Sequence, residues 1–221
     1  MDLRAFVVIG FGFLRAQAPY EPPSSAAILT LMSSPPEVEI KFRIADIERL
    51  VERLRQLGFQ QVTPRTHEMN TLFDLPGHPL RSRGDLLRLR KYGETWVLTH
   101  KSKSNERNGP HKTRVETETR VDNGERMEAI LRALHFEPSF RYEKFRAEWK
   151  AGDGHVVIDE TPIGTYGEIE GPPEWIDSVA CDLGIDRKDY ITETYAGLFL
   201  AWKREGGSKA EEMTFDEIGQ Q

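Results

Sequence analysis

The sequence predicts an α+β domain in which one curved sheet, built from two repeats, carries helices on its outer face. Three observations support this fold class: strands in which charged and apolar residues alternate, a strand–helix unit that occurs twice, and turn signals typical of hairpins. With 221 residues, one domain with a sizeable core is expected.

The first predicted strand covers residues 37–44, where charged and apolar side chains alternate strictly. A strand has a period of two, so it buries one apolar face and aligns its charges on the other. Glu37 and Glu39 lie roughly 7 Å apart on that face and repel each other unless a cation intervenes. Lys41 is the next charged residue on that face, and it indicates that an anion binds there as well. For this strand taken alone, a half-exposed edge strand with a solvated charged face is a better explanation than a binding site. The same pattern recurs on later strands, however.

The strand–helix unit occurs twice along the chain. Residues 115–121 align with residues 38–44 at an offset of 77. Each strand is followed by the apolar spacing of an amphipathic helix, from Ile47 to Leu57 in the first copy and from Met127 to Leu134 in the second. A repeat of this kind implies one domain whose two halves share a core, so neither half is expected to stand alone.

Later segments show the same alternation, and turn residues separate them. Tyr92-Gly93-Glu94 and Gly152-Asp153-Gly154 are typical of hairpin turns. Two further segments, residues 174–183 and 191–202, have the apolar spacing of helices. The additional predicted strands are Leu87–Arg90, Trp96–Lys101, Lys144–Arg146, Val156–Asp159 and Glu168–Glu170.

If these strands form one curved sheet, charges of both signs converge on its interior, and they must be compensated there. The acids suit a hard divalent cation such as Mg²⁺ or Mn²⁺, and the bases suit a polyanion with phosphate oxygens. A metal–polyphosphate complex satisfies both. The acids are Glu37, Glu39, Glu116, Glu118, Asp159, Glu168 and Glu170, and the bases are Lys41, Arg88, Arg90, Lys101, Arg114, Lys144 and Arg146.

Six motifs, in order between about Glu37 and Trp202, resemble the CYTH or triphosphate tunnel metalloenzyme superfamily. The opening Glu-x-Glu-x-Lys at residues 37–41 is the hallmark of that family, although it is weak evidence by itself. The other motifs are Leu87–Arg90, Leu98–Lys101, Arg114–Glu118, Lys144–Arg146, and Asp159 with the segment Pro162–Glu170.

The resemblance implies an eight-stranded antiparallel β-barrel, or tunnel, with helices packed outside, and action on a triphosphate with Mg²⁺ or Mn²⁺. It assigns the seven acids to the metal and the seven bases to the phosphates, with Lys41, Arg88, Arg90 and Lys101 in the catalytic role. This chain departs from the family pattern at two places: Lys203 is the first lysine of its closing segment, and Lys101 precedes Ser102 rather than Gly-Pro.

Three functions follow from this resemblance. The first is metal-dependent hydrolysis of a phosphoanhydride bond in inorganic, thiamine or nucleoside triphosphate, which we favour by a modest margin. The second is the class IV adenylate cyclase reaction, from ATP to cyclic AMP and pyrophosphate. The third is a non-catalytic polyphosphate or nucleotide sensor. In each case the expected partner is a small molecule with a triphosphate, and a monomer and a homodimer both remain open.

Composition excludes several other classes of protein. A net charge of −6 and a pI near 5.6 argue against a nucleic-acid binder, and we expect no membrane association. Cys181 is the only cysteine, so neither an internal disulfide nor a thiolate metal cluster can form. We expect a cytoplasmic protein, although residues 4–18 formally resemble a short secretory signal.

The ends of the chain differ from its centre. We expect residues 1–35 to be an N-terminal extension, disordered or before the natural start, which Met32 would supply. Residues 36–204 are the expected CYTH domain, and residues 205–221 an acidic, loose C-terminal tail.

Overall fold

The computed structural model describes residues 36–103 and 110–219. These residues form a closed barrel of antiparallel strands in the order β1-β5-β4-β3-β2-β6-β7-β8, which confirms the predicted fold class. The strands are β1 (Glu37–Arg43), β2 (Gln60–Asp74), β3 (Leu86–Tyr92), β4 (Thr95–Lys103), β5 (Lys112–Val121), β6 (Glu137–Ala151), β7 (Gly154–Thr161) and β8 (Gly164–Glu170).

The helices lie outside the barrel or at its end. Both predicted hairpin turns are present, between β3 and β4 and between β6 and β7. The helices are α1 (Ile47–Gln56), α2 (Pro79–Arg83), α3 (Gly124–Ala133), α4 (Pro173–Asp182), α5 (Tyr195–Gly206) and α6 (Phe215–Gly219), with a 3₁₀ turn at Arg187–Asp189.

The two repeats are related by the barrel itself. Helix α1 begins after the cap Asp46 and α3 after the cap Asn123, which are 77 residues apart, and each cap accepts a hydrogen bond from a backbone N–H in the first turn of its helix. The strands that follow, β2 and β6, are both 15 residues long and begin 77 residues apart. In the barrel order, exchanging β1–β4 with β5–β8 leaves every neighbour relation unchanged.

Strand β2 was absent from the sequence-based prediction. Pro64 interrupts its alternation, and its register with β6 shifts between Gln61 and Thr63 and again between Thr63 and Thr66. Pro64 has no backbone N–H to donate, and each irregularity reverses the face on which the following side chains lie. A simple period-two pattern therefore could not reveal this strand.

The closing helix begins at Tyr195 rather than at Ile191, which corrects the predicted boundary. Ile191 forms two backbone hydrogen bonds with Lys41 of β1, of 2.9 and 2.8 Å. Thr194 then caps the helix, because its hydroxyl accepts a hydrogen bond from the Gly197 backbone N–H. The chain is thus bound to the barrel before helix α5 starts.

The apolar face of the strands points outward, toward the helices. Ile40, Ile169 and Val156 pack with Leu54 of α1 and Ile176 of α4, and all five are fully buried. Burial of each such side chain contributes about 1.5–3 kcal/mol. Since successive strand residues alternate between faces, the charged residues between these apolar ones point into the barrel. The helical layer thus directs the charges inward.

Gly167 of β8 permits a close contact in this layer. A Cβ atom at this position would come within 2.1 Å of the Phe42 ring on β1. The Phe42 ring therefore lies over Gly167, its register partner, and the next pair in the same register is Lys41 and Glu168.

Part of the segment expected to be a loose tail, residues 210–218, is packed against the domain. Met213 is fully buried and forms backbone hydrogen bonds with Arg141 and Glu143 of β6, both of 3.0 Å. The Phe215 ring lies 5.3 Å from that of Phe145. The predictions for residues 1–35 lie outside the described residues.

In the portion of the chain that the structure describes, no helix is long and apolar enough to cross a membrane.

Candidate active site

The barrel interior encloses a cavity of about 310 Å³, and most of its lining residues are charged. The two signs are balanced, with seven acids and seven bases. The acids are Glu37, Glu39, Glu116, Glu118, Glu148, Glu168 and Glu170, and the bases are Lys41, Arg88, Arg90, Lys101, Lys112, Lys144 and Arg146.

Strands β1 and β8 form an acidic wall on one side of this cavity. Their register places Glu39 opposite Glu170 and Lys41 opposite Glu168. The Lys41 ammonium lies 2.8 Å from Glu39 Oε1 and 3.1 Å from Glu168 Oε1. Lys101 lies 2.6 Å from Glu37 Oε2. Lysines from three strands thus neutralise much of the wall, since Lys112 of β5 also reaches Glu39.

Burial and neighbouring charges shift the pKa values of the acidic wall in different directions. Burial, then the neighbouring carboxylates Glu37, Glu168 and Glu39, raise the pKa of Glu170 to about 7. Burial also raises the pKa of Glu37. At Glu39 burial acts in the same direction, but Lys41 and the other lysines outweigh it and lower the pKa to about 2. Within the described residues Glu170 forms no ion pair, so it is the carboxylate of this wall with the least compensation.

The donor set of this wall fits a hard divalent cation. Glu37, Glu39, Glu168 and Glu170 supply carboxylate oxygens, the ligands that Mg²⁺ and Mn²⁺ prefer. Two glutamates directly opposite on paired strands destabilise the sheet unless a cation lies between them. Within residues 36–103 and 110–219, no three potential ligands already stand in metal-binding geometry. Lysine ammonium groups pair with Glu37, Glu39 and Glu168, and a metal ion bound by these carboxylates would displace them.

The opposite side of the barrel is a basic wall. Arg88 and Arg90 project from β3, and Lys144 and Arg146 from β6. Both strands pair with β2, which lies between them. Arg88 and Arg90 also contact acids of β5, and Arg90 Nη2 lies 3.1 Å from Glu118 Oε2. Guanidinium groups and an ammonium group on the two strands that flank β2 suit the several oxygens of a polyphosphate.

Comparison with known families decides the identity of this fold. The model of the CYTH domain matches residues 35–195, which is most of the chain. The chain belongs to the CYTH family. This confirms the resemblance drawn from the six motifs and places the chain among CYTH-type enzymes.

Several CYTH relatives are named for activities on triphosphates. A Methanocaldococcus jannaschii protein provisionally named an adenylate cyclase is 30% identical over 135 residues, which are 61% of this chain and 75% of that protein. The adenylate cyclase CyaB of Aeromonas hydrophila is 25% identical over 138 residues, 60% of this chain and 67% of that protein. A solved Hippeastrum structure, described as a provisional adenylyl cyclase with a dominant triphosphatase activity, is 23% identical, with a TM-score of 0.51, over 77% of this chain and 96% of that one.

Of the site residues predicted from sequence for this CYTH domain, all but two line the cavity. Asp159 is fully buried behind the lining, where it pairs with Lys144 and Arg146. Arg114 donates to the backbone carbonyl of Gly84 and lines a separate surface pocket. Neither residue belongs to the lining of this cavity.

The sequence analysis missed several lining residues. Lys112 precedes Arg114 by two positions, and Glu148 follows Arg146 by two, so extending each predicted alternation would have identified both. His155 also lines the cavity, as the register partner of Glu170 on the paired strands β7 and β8. The sequence analysis missed it because an isolated histidine has no ligand spacing. Tyr195 reaches the lining from helix α5. Its position depends on how that helix packs, which no strand pattern reveals.

A larger groove, of about 700 Å³, lies outside the barrel between helix α1 and the end of α4. Its arginines alternate with Asp46, Glu52 and Asp182, and Arg53 Nε donates to the Asp182 carbonyl, 3.0 Å away. The groove has no segregation of charge comparable to that of the two walls. We therefore place the site in the barrel.

Proposed function

We propose that this CYTH domain binds a triphosphate together with Mg²⁺ or Mn²⁺ and hydrolyses one of its phosphoanhydride bonds. The observation that supports this most is a single cavity lined by seven acids and seven bases, in which four glutamates of β1 and β8 face Arg88, Arg90, Lys144 and Arg146 of β3 and β6. A metal ion alone would leave the bases unused, and a polyanion alone would leave the acids unused. A metal–triphosphate complex engages both.

The residues divide into two roles. Glu37, Glu39, Glu168 and Glu170 would hold the metal, which when bound polarises phosphate oxygens and neutralises their charge. The bases bind and orient the phosphate chain and stabilise the negative charge that develops on its oxygens as the bond breaks. Lys41, Lys101, Arg88 and Arg90 are our candidates for the catalytic role among these bases.

The lining favours water over a ribose hydroxyl as the nucleophile. Cyclisation requires a surface that holds a purine and its ribose, with the 3′-hydroxyl within about 3–3.5 Å of the α-phosphate. Fourteen of the lining residues are charged and offer a phosphate chain many contacts, whereas Tyr142, His155 and Tyr195 are the lining residues with a ring on which a nucleobase could stack, and the Tyr195 hydroxyl is engaged with Asp159. The triphosphatase activity named for the Hippeastrum relative supports the same choice.

Cyclisation of ATP is the second candidate. The names of the Methanocaldococcus and Aeromonas relatives favour it, and its phosphate-binding requirements are the same. The two reactions differ in their products, which makes them separable.

The test is a product assay over tripolyphosphate, thiamine triphosphate and ATP, each with Mg²⁺ and with Mn²⁺. We expect orthophosphate release that EDTA abolishes. Formation of cyclic AMP with stoichiometric pyrophosphate from ATP would show that the reaction is cyclisation rather than hydrolysis. Binding without turnover of any substrate would indicate a sensor. Equal activity in EDTA and in magnesium would contradict the role of the metal.

We also propose a cytoplasmic location, because the triphosphates that would serve as substrates are cytosolic. Fractionation of cells that produce the full chain tests this. Recovery of a shortened protein outside the cytoplasm would contradict it.

A further inference from the structure

The first residue of helix α5, Tyr195, makes a buried hydrogen bond that the proposed chemistry does not use. Its hydroxyl donates to Asp159 Oδ2 at 2.6 Å. Asp159 is fully buried and does not line the cavity. A buried carboxylate must be compensated by the groups around it, and here Tyr195 supplies one of the donors.

The other partners of Asp159 belong to the basic wall. Arg146 donates to it through Nε at 2.7 Å and through Nη2 at 2.6 Å, in a bidentate arrangement. Lys144 donates at 2.9 Å. Two of the four cations of that wall are thus fixed from behind by one carboxylate, and the phenol of Tyr195 shares that carboxylate with them.

The ring of Tyr195 contacts the cations a second time. Lys144 Nζ lies 4.7 Å and Lys41 Nζ 5.7 Å from the ring centroid. Both distances are within the range of cation–π attraction. Tyr195 therefore touches the lysines of both walls with its ring and orders the basic wall through its hydroxyl.

We propose that Tyr195 is a positioning residue, which holds Lys144 and Arg146 in phosphate-binding geometry through Asp159. This inference rests on the proposed binding of a triphosphate in the cavity. It makes helix α5 part of the site and assigns Asp159 to the support of the basic wall rather than to the metal.

Tyr195→Phe is the informative variant, because it keeps the ring and changes no charge. Without the hydroxyl, Asp159 has only Arg146 and Lys144 to compensate it and draws both away from the cavity. A hydrogen bond to a charged group is stronger than one between neutral groups. Loss of part of that energy from the bound state weakens tripolyphosphate binding about three- to tenfold.

Titration calorimetry on the full chain separates the possible roles. We expect Tyr195→Phe to raise the Kd of tripolyphosphate, measured without metal, about three- to tenfold. The Kd of Mn²⁺, measured without tripolyphosphate, should stay within about twofold, since the metal wall is untouched. Tyr166→Phe is the matched control: it is the same change in a buried ring 6.0 Å from that of Tyr195, and both constants should remain unchanged.

A double-mutant cycle tests the route through Asp159. In an Asp159→Asn background the carboxylate is gone, so Tyr195→Phe should no longer change tripolyphosphate binding. An equal effect of Tyr195→Phe in both backgrounds would contradict the route.

Other results would also overturn the proposal. An unchanged tripolyphosphate Kd in Tyr195→Phe, or a change matched by Tyr166→Phe, would reduce Tyr195 to a structural residue. A loss of Mn²⁺ affinity in Asp159→Asn about as large as in Glu170→Gln would make Asp159 a metal ligand. If any one of these results is obtained while the wild-type protein still binds tripolyphosphate, the proposal for Tyr195 fails and the proposed function stands. If the wild-type protein does not bind it, both proposals fail.

Discussion

Glu68 of β2 is fully buried between the two strands of the basic wall. Its carboxylate lies 3.4 Å from Lys144, 3.8 Å from Arg90 and 4.0 Å from Arg146. Asn70 donates to Oε1 at 2.9 Å, whereas Oε2 has no hydrogen-bond partner among the described residues. Burial would raise the pKa of Glu68, but Lys144 and the arginines outweigh it and lower the pKa to about 2.

This shift predicts how Glu68 contributes to stability as pH changes. A depressed pKa means that the contribution is complete above the ordinary value of 4.5 and is lost as pH falls toward 2. Glu68→Gln leaves buried cations without their counter-ion and should lower the free energy of unfolding at pH 7 by about 3 kcal/mol. The difference between the two proteins should shrink as the pH is lowered from 4.5 to 2.

Urea denaturation at a series of pH values measures this difference. Glu160→Gln is the control, because its partner Arg65 is 52% exposed and surface ion pairs contribute roughly 0–1 kcal/mol. A stability difference for Glu68→Gln that does not change between pH 7 and pH 2 would contradict the ion-pair interpretation.

Glu170 is the acidic-wall residue whose charge is least compensated. Its substitution by Gln is nearly isosteric and removes one anionic oxygen donor from the candidate metal site. We expect the affinity for Mn²⁺, measured by calorimetry, to fall about tenfold, or about 1.4 kcal/mol, and excess metal to restore activity in part. Glu160→Gln again serves as control. Unchanged Mn²⁺ affinity would remove Glu170 from the metal site.

At the scale of elements, the segment after helix α5 binds the part of β6 that extends beyond its pairing with β7. Met213 is fully buried there, whereas Met69 on β2 is 49% exposed. Met213→Ala should therefore lower the free energy of unfolding by about 2–5 kcal/mol, as buried methionines do. Met69→Ala, the same change at an exposed position, should cost far less. Thermal or urea unfolding measures the free energy of unfolding of both variants. An equally small loss in Met213→Ala and Met69→Ala would contradict a stabilising role for the segment.

The elements also show what sequence reasoning can reach. In β1 and β5 each strand alternates without interruption, so the faces of Glu39 and Glu116 were predictable from period two alone. In β2, Pro64 and the register shifts break the period, so Glu68 could not be placed. The 77-residue offset would have located β2, because it matches β2 to β6, where Lys144 had been recognised. Tyr195 needed the packing of α5 onto the barrel end.

At the scale of the whole molecule, the protein places its apolar core outside the barrel and its charges inside. The helices of the duplicated unit cover apolar strand faces in both halves: α1 packs in one cluster with the apolar face of β1, and α3 packs in another with β3, β4 and the end of β5. Because seven acids and seven bases balance across the cavity, the interior can fold without a ligand. When a metal and a polyanion bind, the cavity residues can exchange these internal ion pairs for contacts with the two ligands.

A crystal structure with Mn²⁺ and an imido analogue of tripolyphosphate, which resists hydrolysis, tests this claim most directly. We predict an anomalous peak for Mn²⁺ on the acidic wall. Carboxylate oxygens of Glu37, Glu39, Glu168 or Glu170 should lie about 2.0–2.2 Å from the ion, as expected for a small divalent cation. The phosphate oxygens should contact Arg88, Arg90, Lys144 and Arg146. A Mn²⁺ peak away from the acidic wall, or an analogue bound outside the barrel, would contradict the account.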